Sequence, residues 1–271
     1  MKRRLLTLLS VLCLLPALAA AQSGPKRPKP PQVQPDPEPV VEDKTARDPK
    51  KFAALSVLGD SVQLINLTPA RGDTAQSGEW TASPAGGLDN AVLQALNAAV
   101  TASGTGREIK LYTSSTRSLF GDPANLFVDG KLSLPGKLGE AVRQSGAARL
   151  LLVTRSRQEA ALAAALPARI LASLEGPGFV LDQRPAGQIG FDGQPGLPVL
   201  APFVSIRVAL VDLADLRLKR EQSLAVAGRL PVTPEAAANP WAATTAEQRV
   251  KALEALIEAE LPKAVKSLVA P

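Results

Sequence analysis

Residues 52–68 read FAALSVLGDSVQLINLT. The first part is apolar almost without a break and stops at Gly59-Asp60. A run of that kind suits a strand buried on both faces, in the middle of a sheet. A second strand follows from Ser61. Val62, Leu64 and Asn66 face one way, and Gln63, Ile65 and Leu67 the other, so apolar groups fall on both sides. Two strands of this type need layers above and below them. That requirement points to an α/β architecture rather than a one-sided sheet.

The next segments supply those layers. After a turn-forming stretch with Gly86 and Gly87, residues 88–104 read LDNAVLQALNAAVTASG. Leu88, Val92, Leu96 and Val100 recur every fourth residue, one stripe of an amphipathic helix, and Gly104 fits its end. REIKLYTSS, 107–115, reads as a strand with Ile109 and Leu111 inward. LPGKLGEAVRQSG, 134–146, carries a helix around 138–144, and ARLLLVT, 148–154, is a central strand. Strand, helix, strand, helix, strand is a βαβ rhythm and predicts a sheet that is parallel at least in part.

The second half reads differently. RQEAALAAALPA, 157–168, predicts a short alanine-rich helix stopped near Pro167. RILASLEGPGFVLDQR, 169–184, predicts a hairpin around Glu175-Gly176-Pro177-Gly178. In FVSIRVALVDLADLRLKREQSLAVAG, 203–228, Val204, Ile206, Val208 and Leu210 alternate with Ser205, Arg207 and Ala209. This is a hairpin with one buried and one wet face, turning near Ala214-Asp215, with Asp212 and Asp215 as turn residues. GQIGFDGQPG spaces Gly187, Gly190, Gly193 and Gly196 by three, which reads as a long loop. Trp80 and Trp241 fall in loop contexts. In TTAEQRVKALEALIEAELPKAVKSLV, 244–269, Thr244 and Glu247 are spaced as a capping box. Val250, Leu253, Ile257 and Leu261 form the buried stripe of a helix that Pro262 should kink or end. The expected fold is a mixed α/β single domain over 52–271, with a mixed sheet, hairpins in its second half and a C-terminal amphipathic helix.

The chain begins MKRRLLTLLSVLCLLPALAAAQ. Lys2, Arg3 and Arg4 form a positive n-region and Leu5 to Leu15 an apolar stretch too short to span a bilayer comfortably. Ala19 and Ala21 occupy small-residue positions. Residues 1–21 thus have the parts of a secretory signal peptide, with cleavage between Ala21 and Gln22 and delivery to the periplasm. The single cysteine, Cys13, leaves with that leader. Residues 22–51, QSGPKRPKPPQVQPDPEPVVEDKTARDPKK, are proline-rich and free of aromatics, the composition of a disordered linker.

Of the formal charge of +6, Lys2, Arg3 and Arg4 carry three and the linker two. The folded part is left near neutrality, without the field that draws in nucleic acid. No later apolar run is long enough for an integral membrane span.

Gly59-Asp60-Ser61-Val62 resembles the first motif of the GDSL-type esterases. That resemblance implies Ser61 as nucleophile, with Asp60 beside it. A hydroxyl needs a base to attack at neutral pH, and the chain contains no histidine. The same absence removes Cys-His hydrolases, typical zinc sites and histidine-ligated haem. There is no calcium loop of the EF-hand kind and no GxxxxGK[ST] phosphate loop. The one S-x-x-K, Ser23 to Lys26, lies in the proline-rich segment. Carboxylate chemistry on a glycan or an ester remains as an alternative. No cofactor and no metal ligand set is expected.

The leader, the element order and the opening strand resemble exported α/β proteins of proteobacteria that carry no assigned activity. The 203–227 hairpin resembles, in pattern, the periplasmic α/β domains of curli-secretion lipoproteins and of outer-membrane activators of cell-wall synthases. Those families are lipoproteins, whereas here Leu12 precedes Cys13 and a lipobox needs a small residue there. The expectation is a non-catalytic periplasmic protein that binds another cell-envelope component, a protein or part of the cell wall.

Overall fold

The computed structural model describes residues 47–67, 76–81, 87–161, 171–182, 199–230 and 239–270. They belong to one compact unit, Thr45–Pro271. The leader, the cleavage position at Ala21 and Gln22, most of the linker, Ser23 to Lys26 and the 187–196 glycine loop lie outside the described residues.

Eleven strands and three α-helices are described. The strands are β1 (Asp48–Ser56), β2 (Ser61–Leu67), β3 (Gln76–Thr81), β4 (Glu108–Tyr112), β5 (Phe127–Val128), β6 (Lys131–Leu132), β7 (Ala147–Arg155), β8 (Arg157–Ala161), β9 (Leu171–Asp182), β10 (Val199–Asp212) and β11 (Leu218–Ala227). The helices are α1 (Gly87–Ala102), α2 (Gly136–Arg143) and α3 (Ala246–Val269). Strands β5 and β6 form a separate small hairpin, and the other nine make one mixed sheet. The fold class is therefore mixed α/β, as the sequence leads one to expect. β1 begins at Asp48, inside the segment expected to be linker.

The sheet is laid out in lanes. β1 lies between β4 and β7, parallel to both. β10 runs antiparallel to β7 along 206–212 and antiparallel to β9 along 199–205. β7 and β9 therefore occupy one lane end to end. Their junction is sharp: Ile206 faces Arg155, and the next residue back, Ser205, faces Gly176. At Ser156 the chain leaves the lane and becomes β8, which pairs with the first half of β9. A two-stranded arm thus peels off the sheet where the lane changes hands. β2 continues from β1 and takes β9 as its parallel neighbour, with β3 beyond it.

This arrangement corrects three expectations. The stretch 157–161 is a strand, not a helix, because the backbone partners supplied by 171–175 outweigh the helical preference of alanine. The 169–184 stretch is not a hairpin: 171–182 is one strand that exchanges partners midway. Gly176 permits the exchange with φ +67°, and Gly178 allows close approach, since a β-carbon there would stand 2.1 Å from Phe203 Cζ. Trp80 lies in β3 rather than in a loop.

Both faces of the sheet are covered. α1 and α3 pack on one face, against Phe52, Leu151, Val153, Phe179 and the Val204–Ile206–Val208–Leu210 series. On the other face, Ala53, Leu55, Leu150, Leu152, Ala209 and Val211 pack with Leu119, Leu126, Leu132 and Val142. The expected wet face of β10 is therefore buried, with Ser205 and Ala209 closed off from solvent. Leu111, expected inward, is 36% exposed; it lies on β4, whose one strand partner among the described residues is β1.

The β10–β11 turn is as expected: Asp212 Oδ1 accepts from Ala214 N and Asp215 Oδ1 from Arg217 N. The capping box lies one residue later than the spacing suggested. Thr245 Oγ1 accepts from Gln248 N at 3.1 Å and Gln248 Oε1 from Thr245 N at 2.8 Å. α3 does not end at Pro262 but runs on to Val269. The carbonyl that proline leaves without a donor belongs to Glu258, on the exposed side, where water can serve it.

Candidate functional site

The C-terminal ends of β1, β4 and β7 frame a cleft of about 1190 Å³. The chain leaving β1 passes through β2 and β3 before reaching α1 on one face of the sheet, while the chain leaving β4 leads to α2 on the other. Adjacent parallel strands whose connections part in this way open a crevice at their carboxyl ends. The Gly59-Asp60-Ser61 tripeptide lies on its wall.

One carboxylate ties down that wall. Asp89, in the first turn of α1, accepts from the Ser56 hydroxyl at 2.5 Å, from Leu58 N at 2.9 Å and from Gly59 N at 3.1 Å. From the other side Arg155, at the end of β7, donates Nε to Leu58 O at 2.8 Å and a terminal N–H to Ser61 O. The β1–β2 connection is therefore gripped by an anion and a cation through its backbone. Gly59 takes φ +69°, and a β-carbon there would stand 3.1 Å from the Phe120 ring. Gly87 opens α1 with φ +58°, and a β-carbon there would meet Asp60 Oδ1 at 2.1 Å. Asp60 thus lies against the start of α1, where the unpaired N–H groups favour a negative charge.

Ser61 Oγ is buried and makes no hydrogen bond among the described residues. The triad logic of a serine hydrolase needs a base within hydrogen-bond reach of that oxygen. The cleft also holds Asp122 and Glu175. Asp122 accepts from Ala124 N at 2.9 Å, a cap on its own 3₁₀ turn. Among the described residues no three of His, Cys, Asp and Glu converge closely enough to hold a metal ion.

Four arginines line the cleft: Arg117, Arg155, Arg157 and Arg207. They escaped the sequence reading. Arg155 closes a run that reads as pure core strand, and Arg207 sits at a position expected to face water. Asp89 was visible as an acid in a first helical turn, but its donors come from a strand distant in sequence. Arg207 pairs with Glu221 across the β10–β11 ladder, with its guanidinium 5.9 Å from the centre of the Phe127 ring.

Trp241, outside the cleft, packs edge-on to Phe179 with ring centres 5.8 Å apart. It also carries the buried Arg249 guanidinium 4.0 Å from its centroid. Arg249 further donates to Trp241 O and Thr244 O, each at 2.7 Å. Burial lowers the Arg249 pKa. Trp241 thus anchors the start of α3 against the core.

Among the described residues no helix is long and apolar enough to cross a membrane. No family model matches the chain, and no curated relative does. Among solved structures, the chain is similar to a PelC dodecamer from Paraburkholderia phytofirmans at 12% identity, covering 82% of this chain and 89% of that one, with a TM-score of 0.32. It is also similar to a DUF330 protein from Xanthomonas campestris at 11% identity, covering 80% and 85%, with a TM-score of 0.32.

Proposed function

We propose that this chain is an exported, non-catalytic periplasmic protein that binds another cell-envelope component in the cleft at the ends of β1, β4 and β7. The signal-like leader and proline-rich spacer support export. One observation carries the binding reading: the β1–β2 connection on the cleft wall is held from both sides by charged groups engaged within the protein. Asp89 spends its carboxylate on three donors and Arg155 its guanidinium on two carbonyls. Such groups hold a surface rigid for a ligand, whereas an acid–base catalyst needs a proton site open to the substrate.

The test is a filled cleft. Ser115 is exposed and lines the cleft, so Ser115→Trp occupies its mouth without disturbing the core. The immobilised chain should retain an envelope glycan, lipid or protein fraction that Ser115→Trp does not. Equal retention by both would sink the reading. A second reading, an envelope ester or glycan hydrolase, is favoured only by the placement of Ser61 and Asp60 on the wall. Turnover of a p-nitrophenyl acyl ester that vanishes in Ser61→Ala would replace the binding reading with that one.

A further inference from the structure

Resting on the cleft as a binding site, we infer that the group it receives is an anion, presenting carboxylate or phosphate oxygens. The floor and the rim lead to the same chemistry. Arg207 lines the cleft and gives one terminal N–H to Glu221, but its Nε is buried and meets no acceptor among the described residues. An arginine N–H can be satisfied only by an acceptor. Facing Arg207 across the β7–β10 ladder is Thr154, 4% exposed, whose hydroxyl is likewise without a partner among the described residues. Ser61 Oγ, also in the cleft lining, is a third such group. Buried polar atoms are rarely left unpaired, and those of Arg207 and Ser61 belong to residues that line the cleft, which marks where a guest's atoms go. All three can donate, so the guest supplies oxygen acceptors.

The rim adds charge. Arg117 is exposed and makes no hydrogen bond or ion pair among the described residues, leaving its planar fork open for bidentate contact. Among the described residues Arg157 uses Nε alone, donating to Ser173 Oγ at 3.0 Å, and its terminal N–H groups meet no acceptor there. Four carboxylates, Asp60, Asp89, Asp122 and Glu175, match the four arginines in number, so the preference for an anion is local rather than a net field. Asp89 and Asp122 are taken up by backbone N–H groups, and Asp60 lies against the start of α1. Glu175 stands opposite Arg157 in the β8–β9 ladder and offsets that one charge. Arg117 is left to meet the ligand without a counter-charge, and Arg207, paired with Glu221, contributes its unmatched Nε.

The experiment is calorimetric titration of the full chain at low salt with pyrophosphate, with citrate and with glucose. Pyrophosphate or citrate should bind and glucose should not, and the stronger of the two anions identifies phosphate or carboxylate as the recognised group. Arg117→Gln, an exposed substitution, should weaken binding at least tenfold with an unchanged melting temperature. Arg207→Gln should weaken it further, and 0.5 M sodium chloride should abolish it. Failure of both anions to bind at millimolar concentration, or binding indifferent to Arg117→Gln, overturns the inference. If the anions fail while Ser115→Trp still loses its envelope fraction, the anion is wrong and the cleft stands. If Ser115→Trp also changes nothing, both fall.

Discussion

The Ser56 hydroxyl donates to the Asp89 carboxylate at 2.5 Å, joining the end of β1 to the first turn of α1. Because the same carboxylate takes Leu58 N and Gly59 N, it determines the path of the chain into β2. Asp89→Ala leaves those donors without an acceptor in a partly buried site. It should cost about 3 kcal/mol, since hydrogen bonds to a charged group contribute about 1.5–3 kcal/mol and unmet donors add to the loss. Urea unfolding measures this, and a change below about 0.5 kcal/mol would show that the loop holds its path unaided.

Among the described sheet glycines, Gly178 makes the closest approach. A β-carbon there would stand 2.1 Å from Phe203 Cζ and 2.6 Å from Gln63 O. Gly178→Ala should destabilise by about 2–3 kcal/mol, the scale of overpacking. Phe203→Leu in the same chain should recover part of that loss. Gly228→Ala, whose new carbon would meet nothing nearer than 3.5 Å, should be near neutral. Equal melting temperatures for Gly178→Ala and Gly228→Ala would contradict the packing.

Arg249 combines a stacked ring with two carbonyl acceptors, a geometry that lysine cannot reproduce. Arg249→Lys should lower stability by about 1–3 kcal/mol and change the near-ultraviolet circular dichroism that Trp241 contributes. An unchanged spectrum would mean that the ring is placed by Phe179 alone.

Strand β1 starts at Asp48, and its first residues are tied in: Asp48 N donates to Gly146 O at 3.2 Å, and Lys51 faces Glu108 in the ladder. Deleting 22–46 should leave the melting temperature unchanged. Deleting 22–51 should lower stability by about 2 kcal/mol, at about 1 kcal/mol for each lost ladder bond. A large loss from the shorter deletion would show that the proline-rich segment contributes to the fold.

The resolved pKa shifts lie outside the neutral range. The Asp215 pKa is lowered, first by its hydrogen bond from Arg217 N and then by Lys219; the Lys219 pKa is raised by Asp215. A lowered carboxyl pKa favours folding above its unfolded value, about 3.9, and that contribution is lost as the pH falls through the folded value. A raised lysine pKa favours folding below its unfolded value, about 10.4, and that contribution is lost as the pH rises through the folded value. Both groups are fully exposed, so the effects are small. With no histidine and a single cysteine, melting curves should be flat from about pH 5.5 to 7.5 and indifferent to reductant. A step inside that window would reveal a titrating carboxylate and favour the enzyme reading.

Periodicity made α1, α2 and α3 legible, because a helix is specified by residues within four positions of one another and their apolar stripe shows in the string. The β10–β11 hairpin was legible for a related reason: alternation and turn residues are also local. The missing histidine limited the chemistry before any fold was known. Partner choice in a sheet is not local. Whether 157–161 would be helix or strand depended on 171–175 lying beside it. Whether 171–182 would turn back or run on depended on β8, β10 and β2 each offering backbone partners to a different part of it. The burial of Ser205 and Ala209 required a second layer on a face that the string leaves polar. The cleft is the extreme case. Asp89, Arg117, Arg155 and Arg207 come from a helix, a 3₁₀ turn and two strands, and each looks ordinary in its own segment. Only the placing of α1 and α2 on opposite faces of the sheet, and the exchange of β7 for β9 at Gly176, bring them together. Sequence settles what each segment prefers alone. Long-range hydrogen-bond partners decide which segments meet.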